Sequence, residues 1–140
     1  MSPVLDVVRT ARVLEKAAQR VFQPFGLTSA QFNVLNLLAA APDGLPASAL
    51  AAQLLVDPSN VTGLIRRLKA EDFIRSVPNP ADLRQHVVTL SPKGRTRWQR
   101  AVTAYQASLQ AVEASLPATK RRAFTDALEQ LRSTADGLAL

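Results

Sequence analysis

Cysteine is absent from the chain. That removes disulfides, thiol redox sensing and thiolate metal sites, and it accords with a reducing compartment. His86 is the single histidine. A lone histidine in a strand-like stretch is expected at the surface or in packing, and no His/Asp/Glu grouping has metal-ligand spacing. No Ser/His/acid set can be assembled around a recognisable nucleophile, so no enzymatic activity, metal or cofactor is expected. No apolar run reaches the length of a membrane span, and the N-terminal residues lack a secretory hydrophobic region. The expectation is a cytoplasmic protein with no membrane partner. Lysine is scarce beside arginine while alanine is abundant, a composition that suggests a GC-rich bacterial genome.

What is present is charge, and it is localised. The formal net charge is +6 over 140 residues. Residues 1–56 hold four Lys/Arg against three Asp/Glu, residues 57–100 nine against four, and residues 101–140 four against four. The excess therefore sits in the middle of the chain, which points to a polyanion partner, most simply nucleic acid. The length suffices for one domain with a core, or a small domain plus an oligomerisation arm.

The stretch Asp57–Glu71 lies inside that basic segment. Asp57 is a good N-cap and Pro58 a good first helical residue. Val61, Leu64, Ile65 and Leu68 recur at helical spacing and define one apolar face. Ser59, Asn60, Thr62, Gly63, Arg66 and Arg67 fall outside it. Small polar side chains near the start, followed by arginines, suit a helix entering a DNA major groove, where Arg donors meet guanine edges or phosphates. The plain alternative is a surface helix with a solvated basic face.

The flanking segments supply the context. Val4 to Phe22 reads as a long amphipathic helix that ends near Pro24 and Gly26. Thr28 and Gln31 form a capping box for a second helix, which is stopped by Pro42-Asp43-Gly44. Leu45-Pro46 is an extended link. Ala47 to Leu55 is a third helix, with Leu50, Leu54 and Leu55 inward, and Val56-Asp57-Pro58 turns into the basic helix. Phe73–Val77 and His86–Leu90 read as two strands of a hairpin whose long tip runs from Pro78 to Arg84. Ser91-Pro92 caps another helix, whose stripe is Trp98, Ala101/Val102, Tyr105, Leu109, Val112 and Leu116. Pro117 opens the last helix, with Phe124, Leu128, Leu131 and Leu138 on its apolar face.

In this order the chain resembles the MarR family of bacterial transcriptional regulators. The resemblance is carried by Leu27-Thr28-x-x-Gln31, Leu50-Ala51-x-x-Leu54, Asp57-x-Ser59-x-Val61-Thr62, Arg67-Leu68, Asp82-x-Arg84 and Leu90-Ser91-x-Lys93-Gly94. It implies a mainly α fold with a small β-hairpin wing, that is, a winged helix-turn-helix with N- and C-terminal dimerisation helices. The corresponding division is residues 1–26, 27–92 and 93–140. An obligate homodimer is implied, with Val4, Val8, Leu109, Val112, Leu116, Phe124, Leu128 and Leu131 at the subunit contact.

The resemblance further implies that the helix of Ser59–Arg67 enters a major groove and the wing a minor groove. Arg84 would be the minor-groove arginine, Asp82 its shaping partner, and Gln85 a neighbour in the same contact. A narrow A·T-rich groove concentrates negative potential and so favours arginine. Arg75 and Lys93 are candidate phosphate contacts. Small aromatic or anionic effectors often bind family members between arm and DNA-binding lobe, where Phe22, Phe25 and Phe32 are candidates; core packing is the competing role. The chain departs from the family pattern at Gly63, Asp72 and Leu83, which bear on the target sequence. Two-fold symmetry predicts a pseudo-palindromic double-stranded operator with half-sites roughly 10 bp apart. A repressor is expected. The other readings are a winged-helix protein-interaction module and a non-specific architectural DNA binder.

Overall fold

The computed structural model describes residues 1–54 and 60–138, together with the backbone but not the side chains of 58 and 59. Six helices and one hairpin follow in the order α1 (Pro3–Phe22), α2 (Ser29–Ala39), α3 (Ala47–Leu54), α4 (Pro58–Ala70), β1 (Ile74–Asn79), β2 (Asp82–Leu90), α5 (Pro92–Glu113) and α6 (Ala118–Asp136). The expected capping by Asp57, the turn at Val56-Asp57, Leu55 and the side chain of Ser59 lie outside the described residues.

Local chemistry sets most boundaries. Ser2 caps α1 by accepting from the Leu5 amide, with Pro3 in the first turn. A short 3-10 turn, Gln23–Phe25, closes α1, and Gly26 ends it in the left-handed region at φ 69°, which costs glycine little. The capping box of α2 is complete: Thr28 Oγ1 accepts from the Gln31 amide at 3.1 Å, and Gln31 Oε1 accepts from the Thr28 amide at 2.9 Å. Ser91 caps α5 by accepting from the Gly94 amide at 2.9 Å. Helix α5 ends at Glu113, so Leu116 lies in the turn before α6, and Leu138 lies past the end of α6. Both had been expected on helical stripes.

The hairpin is longer than the sequence suggested. Strand β2 starts at Asp82, not at His86, and the strands pair antiparallel from Ile74↔Leu90 to Pro78↔His86, with a register shift before Asn79↔Asp82. The turn-forming residues thus extend the strands, and the tip shrinks to Pro80-Ala81. Asn79 is the reason: its Oδ1 accepts from the Ala81 amide, and its Nδ2 donates to Gln85 Oε1, both at 2.9 Å. The link at Leu45 also joins the sheet. Its amide and carbonyl exchange bonds with Val88 at 3.0 and 2.8 Å.

One hydrophobic cluster holds these parts. It joins Phe22 and Leu27 to Phe32, Val34, Leu35 and Leu38 of α2, Leu50 and Ala51 of α3, Val61, Ile65 and Leu68 of α4, then Phe73, Ile74, Val88 and Ala101. The cluster draws on the end of α1 and the middle of α5. Helix α6 contributes no buried residue. Instead, Val4, Leu5, Val8, Val13, Leu14, Leu109, Val112 and Phe124 are exposed. These side chains lie on α1, the C-terminal half of α5, and α6, which together form an arm beside the lobe of α2–β2. No helix among the described residues is long and apolar enough to cross a membrane.

Candidate nucleic-acid interface

Helix α4 is held from behind and bare in front. Val61 and Leu68 are 1% and 0% exposed and Ile65 9%, so its apolar face is spent on α2, α3 and β1. Asn60, Thr62, Arg66 and Arg67 are exposed on the opposite side. Neither arginine makes an ion pair with a described residue, which leaves both guanidinium groups with full donor capacity. A Cβ at Gly63 would meet nothing within 4 Å. The helix is therefore thinnest in its middle, where another backbone or a phosphate could come close.

The wing presents a second cationic point. The Arg84 side chain is 93% exposed. Asp82 Oδ1 accepts from the Arg84 amide at 3.1 Å and from its Nε at 3.3 Å. One carboxylate oxygen thus ties the start of β2 to the side chain, and neither bond uses the terminal guanidinium nitrogens. An exposed pair of this kind adds little stability; its consequence is direction. Gln85 is tied across the hairpin to Asn79, so its role in the structure is to brace the wing. Arg75 is exposed on β1, opposite Thr89.

The geometry bears on two further expectations. Lys93 does not project as a free cation: Nζ donates to the Glu71 carbonyl at 3.0 Å and lies 5.2 Å from the centre of the Phe73 ring. A carbonyl just past the end of a helix is an unsatisfied acceptor at the negative end of the helix dipole, and a lysine satisfies both. Phe22, Phe25 and Phe32 do not line the arm cavity described below. Phe22 and Phe32 are buried and stacked at 4.2 Å, with Tyr105 tilted against both at 5.0 and 5.5 Å. Phe25 packs half-buried against the same core, with Arg100 6.0 Å above its ring.

A cavity of about 430 Å³ does exist, in the arm. Leu14, Ala18 and Val21 of α1, Tyr105, Leu109 and Val112 of α5, and Leu116 and Phe124 line it, with Thr10, Ser108, Ser115 and Glu113 as its polar rim. Nothing in the sequence pattern distinguished these residues from a dimer seam, because both uses call for the same apolar stripe. The dimerisation candidates divide accordingly. Val4, Val8, Val112 and Phe124 are about half exposed, Leu109 is 39% exposed, and Leu116, Leu128 and Leu131 are partly covered. Among the described residues, no group of three or more His, Asp and Glu could hold a metal ion.

The whole arrangement, a basic helix backed by two others and flanked by a hairpin, recurs in known proteins. A sequence model of the MarR family matches residues 25–85. The transcriptional activatory protein BadR of Rhodopseudomonas palustris is 34% identical over 91 residues, 64% of this chain and 52% of that protein. The chain therefore spans about half the length of that relative. The homoprotocatechuate degradative operon repressor of Escherichia coli is 24% identical over 119 residues, covering 82% of this chain and 80% of that one. The Mycobacterium tuberculosis MarR family protein Rv2887, solved in complex with DNA, superposes with a TM-score of 0.73 at 27% identity over 94% of this chain and 98% of its own. The same protein has been solved with p-aminosalicylic acid.

Proposed function

We propose that the chain is a member of the MarR family, whose sequence model matches residues 25–85, and that it is a homodimeric, sequence-specific DNA-binding transcriptional regulator, a repressor released by a small effector. The observation that carries this reading is the pairing of two exposed, directed cationic elements on one lobe. Arg66 and Arg67 stand on the free face of α4, and Arg84 is steered outward by Asp82 on the wing. In this reading α4 enters the major groove, with Asn60, Thr62 and the bare backbone at Gly63 leading, and Arg84 enters the adjacent minor groove. Phosphate contacts supply affinity and the base-edge contacts supply selectivity.

The dimer is supported by the unfinished arm. A helix of 19 residues without a buried residue has no reason to persist beside water unless its apolar side meets something. A second copy offers the same surface by two-fold symmetry, and it would set two recognition helices at a fixed spacing. The repressor sign follows the relative whose length this chain covers at 80%. For the effector, the arm cavity is within the size range of small-molecule sites and has mostly apolar walls. An aromatic molecule lodged there would change how the arm helices pack, and with them the spacing of the recognition helices. It can release DNA only to the extent that it binds the non-DNA arrangement better. No catalytic activity is part of this reading, and the site of action is the cytoplasm, with the genome.

The test is a fluorescence-anisotropy titration against the DNA upstream of the chain's own gene, at near-physiological salt with excess competitor DNA, with the mass of the complex read by light scattering. Two subunits per site, binding that survives competitor and a clear loss in Arg84→Ala would establish the reading. Binding that competitor abolishes would favour an architectural binder. No binding even at low salt, where phosphate contacts are strongest, would remove the DNA role.

A further inference from the structure

The first two turns of α5 are built against the exit of the recognition helix. The Ser91 hydroxyl donates to the Asp72 carbonyl, Lys93 Nζ donates to the Glu71 carbonyl at 3.0 Å, and a Cβ at Gly94 would lie 1.9 Å from the Phe73 carbonyl oxygen. Only glycine permits that approach. Asp72 itself is left-handed at φ 59°, so the chain leaves α4 through a single defined turn. Residues 71–73 are therefore clamped by α5, and they move with it.

Arg97 stands one turn further along α5 and reaches in two directions. Its guanidinium carbon lies 5.0 Å from the centre of the Phe73 ring, and Nη1 donates to the Phe25 carbonyl at 2.6 Å across 72 residues of chain. Phe25 belongs to the short turn that closes α1. The next residue, Gly26, has no side chain to intervene: a Cβ there would lie 3.3 Å from Nη1. Arg97 is partly buried and has no carboxylate partner among the described residues. A partly desolvated cation without an acid costs stability that a plain apolar side chain would not. Among the described residues its return on that cost is these two contacts, and they join the end of the arm's first helix to the exit of the recognition helix.

We propose that Arg97 is a positioning residue: it sets the orientation of α4 relative to the arm, and so the spacing of the two recognition helices. The proposal rests on the regulator reading for its functional consequence, but its structural half stands on a single protomer. Without the guanidinium, the lobe would still fold, because Arg97 is not part of the buried cluster. It would swing more freely against α1, and DNA recognition would lose its dependence on half-site spacing.

The chain's lack of cysteine makes this measurable. Exposed Arg12 on α1 and Lys69 on α4 are replaced by cysteine and spin-labelled, and labelled chain is diluted in excess unlabelled chain so that only the within-chain distance is read. With Arg97 present, a single narrow distance distribution is expected. R97M should broaden it at unchanged helicity. R97K, which keeps a donor and the charge above Phe73, should fall between the two, and it remains readable if the methionine variant does not fold. In parallel, an operator selected in vitro by the parent protein is compared with versions carrying one base pair more or fewer between half-sites. The parent should lose about tenfold on the altered spacings, comparable to one mismatched base pair, and R97M about threefold or less. A general loss of stability would weaken both operators alike and leave that ratio unchanged. Equal distance distributions and equal spacing ratios in parent and R97M would overturn the proposal. A parent protein that selects no DNA would sink the regulator reading instead, and the label distances would then decide the coupling alone.

Discussion

Helices α4 and α6 carry the same kind of sequence, an apolar stripe with basic and polar residues around it, yet α4 buries Val61, Ile65 and Leu68 while α6 buries no residue and leaves Phe124 51% exposed. The difference lies in what the chain provides to cover them. Around α4 it provides α2, α3, β1 and the clamp from α5. Around α6 it provides little. An amphipathic pattern states that a face must be covered and does not state by what. In the lobe the cover is within the chain, and the free face left over is the cationic one. In the arm the described residues leave that face uncovered, and the free face is the apolar one. The first free face calls for a polyanion and the second for another apolar surface.

The contrast breaks first at the arm. Phe124→Asp combined with Val112→Asp should give a folded monomer by light scattering. Operator affinity should fall by about 10²–10⁴-fold, the gain that linking two half-sites supplies. An unchanged dimer would mean that the second copy covers some other surface. In the lobe, Leu68→Ala removes a fully buried side chain and should cost about 2–5 kcal/mol in denaturant unfolding. The same change at half-exposed Leu14 should cost far less in a monomeric background, and a similar cost at both sites would erase the distinction between a closed lobe and an open arm.

Finer tests act on the cationic face alone. Arg84→Ala should weaken operator binding by about 1–3 kcal/mol while the melting temperature stays within error, because its side chain is almost wholly exposed. Asp82→Ala should recover part of that phenotype by releasing the direction of Arg84. The smallest effect is expected at Gly63→Ala. Helix propensity predicts a gain of roughly 0.5–1 kcal/mol in stability, since the new methyl would meet no protein atom within 4 Å. Loss of operator affinity in that more stable variant would show that DNA comes within contact distance of the backbone there. Unchanged affinity would place the contact at Arg66 and Arg67 instead.

Much of the lobe was legible in residue order. The capping box at Thr28 and Gln31, the apolar spacing of α4 and the Ser91-Pro92 start of α5 are signals contained within a few residues. The wing was legible in kind but not in length, because Pro78, Asn79 and Pro80 read as a loop. The strands continue through them on the side-chain bonds of Asn79. That Lys93 bonds a main-chain carbonyl was not legible in the sequence, because every residue offers the same acceptor. The phenylalanines near the α1–α2 junction were ambiguous for a related reason: an aromatic cluster and an aromatic-lined pocket have one composition.

The sequence by itself determined the elements and their faces. Caps, breakers and periodicity act over a few residues, and a charge excess confined to residues 57–100 is visible without any coordinates. Only the tertiary structure decided what those faces meet. The Leu45–Val88 pairing, the stack of Phe22, Phe32 and Tyr105, and the reach of Arg97 to the Phe25 carbonyl all join residues distant in the chain. Half of each such contact is backbone or a generic ring, and every residue carries the same carbonyl. A pattern of side chains can announce a donor in need of an acceptor, but packing alone chooses which acceptor arrives.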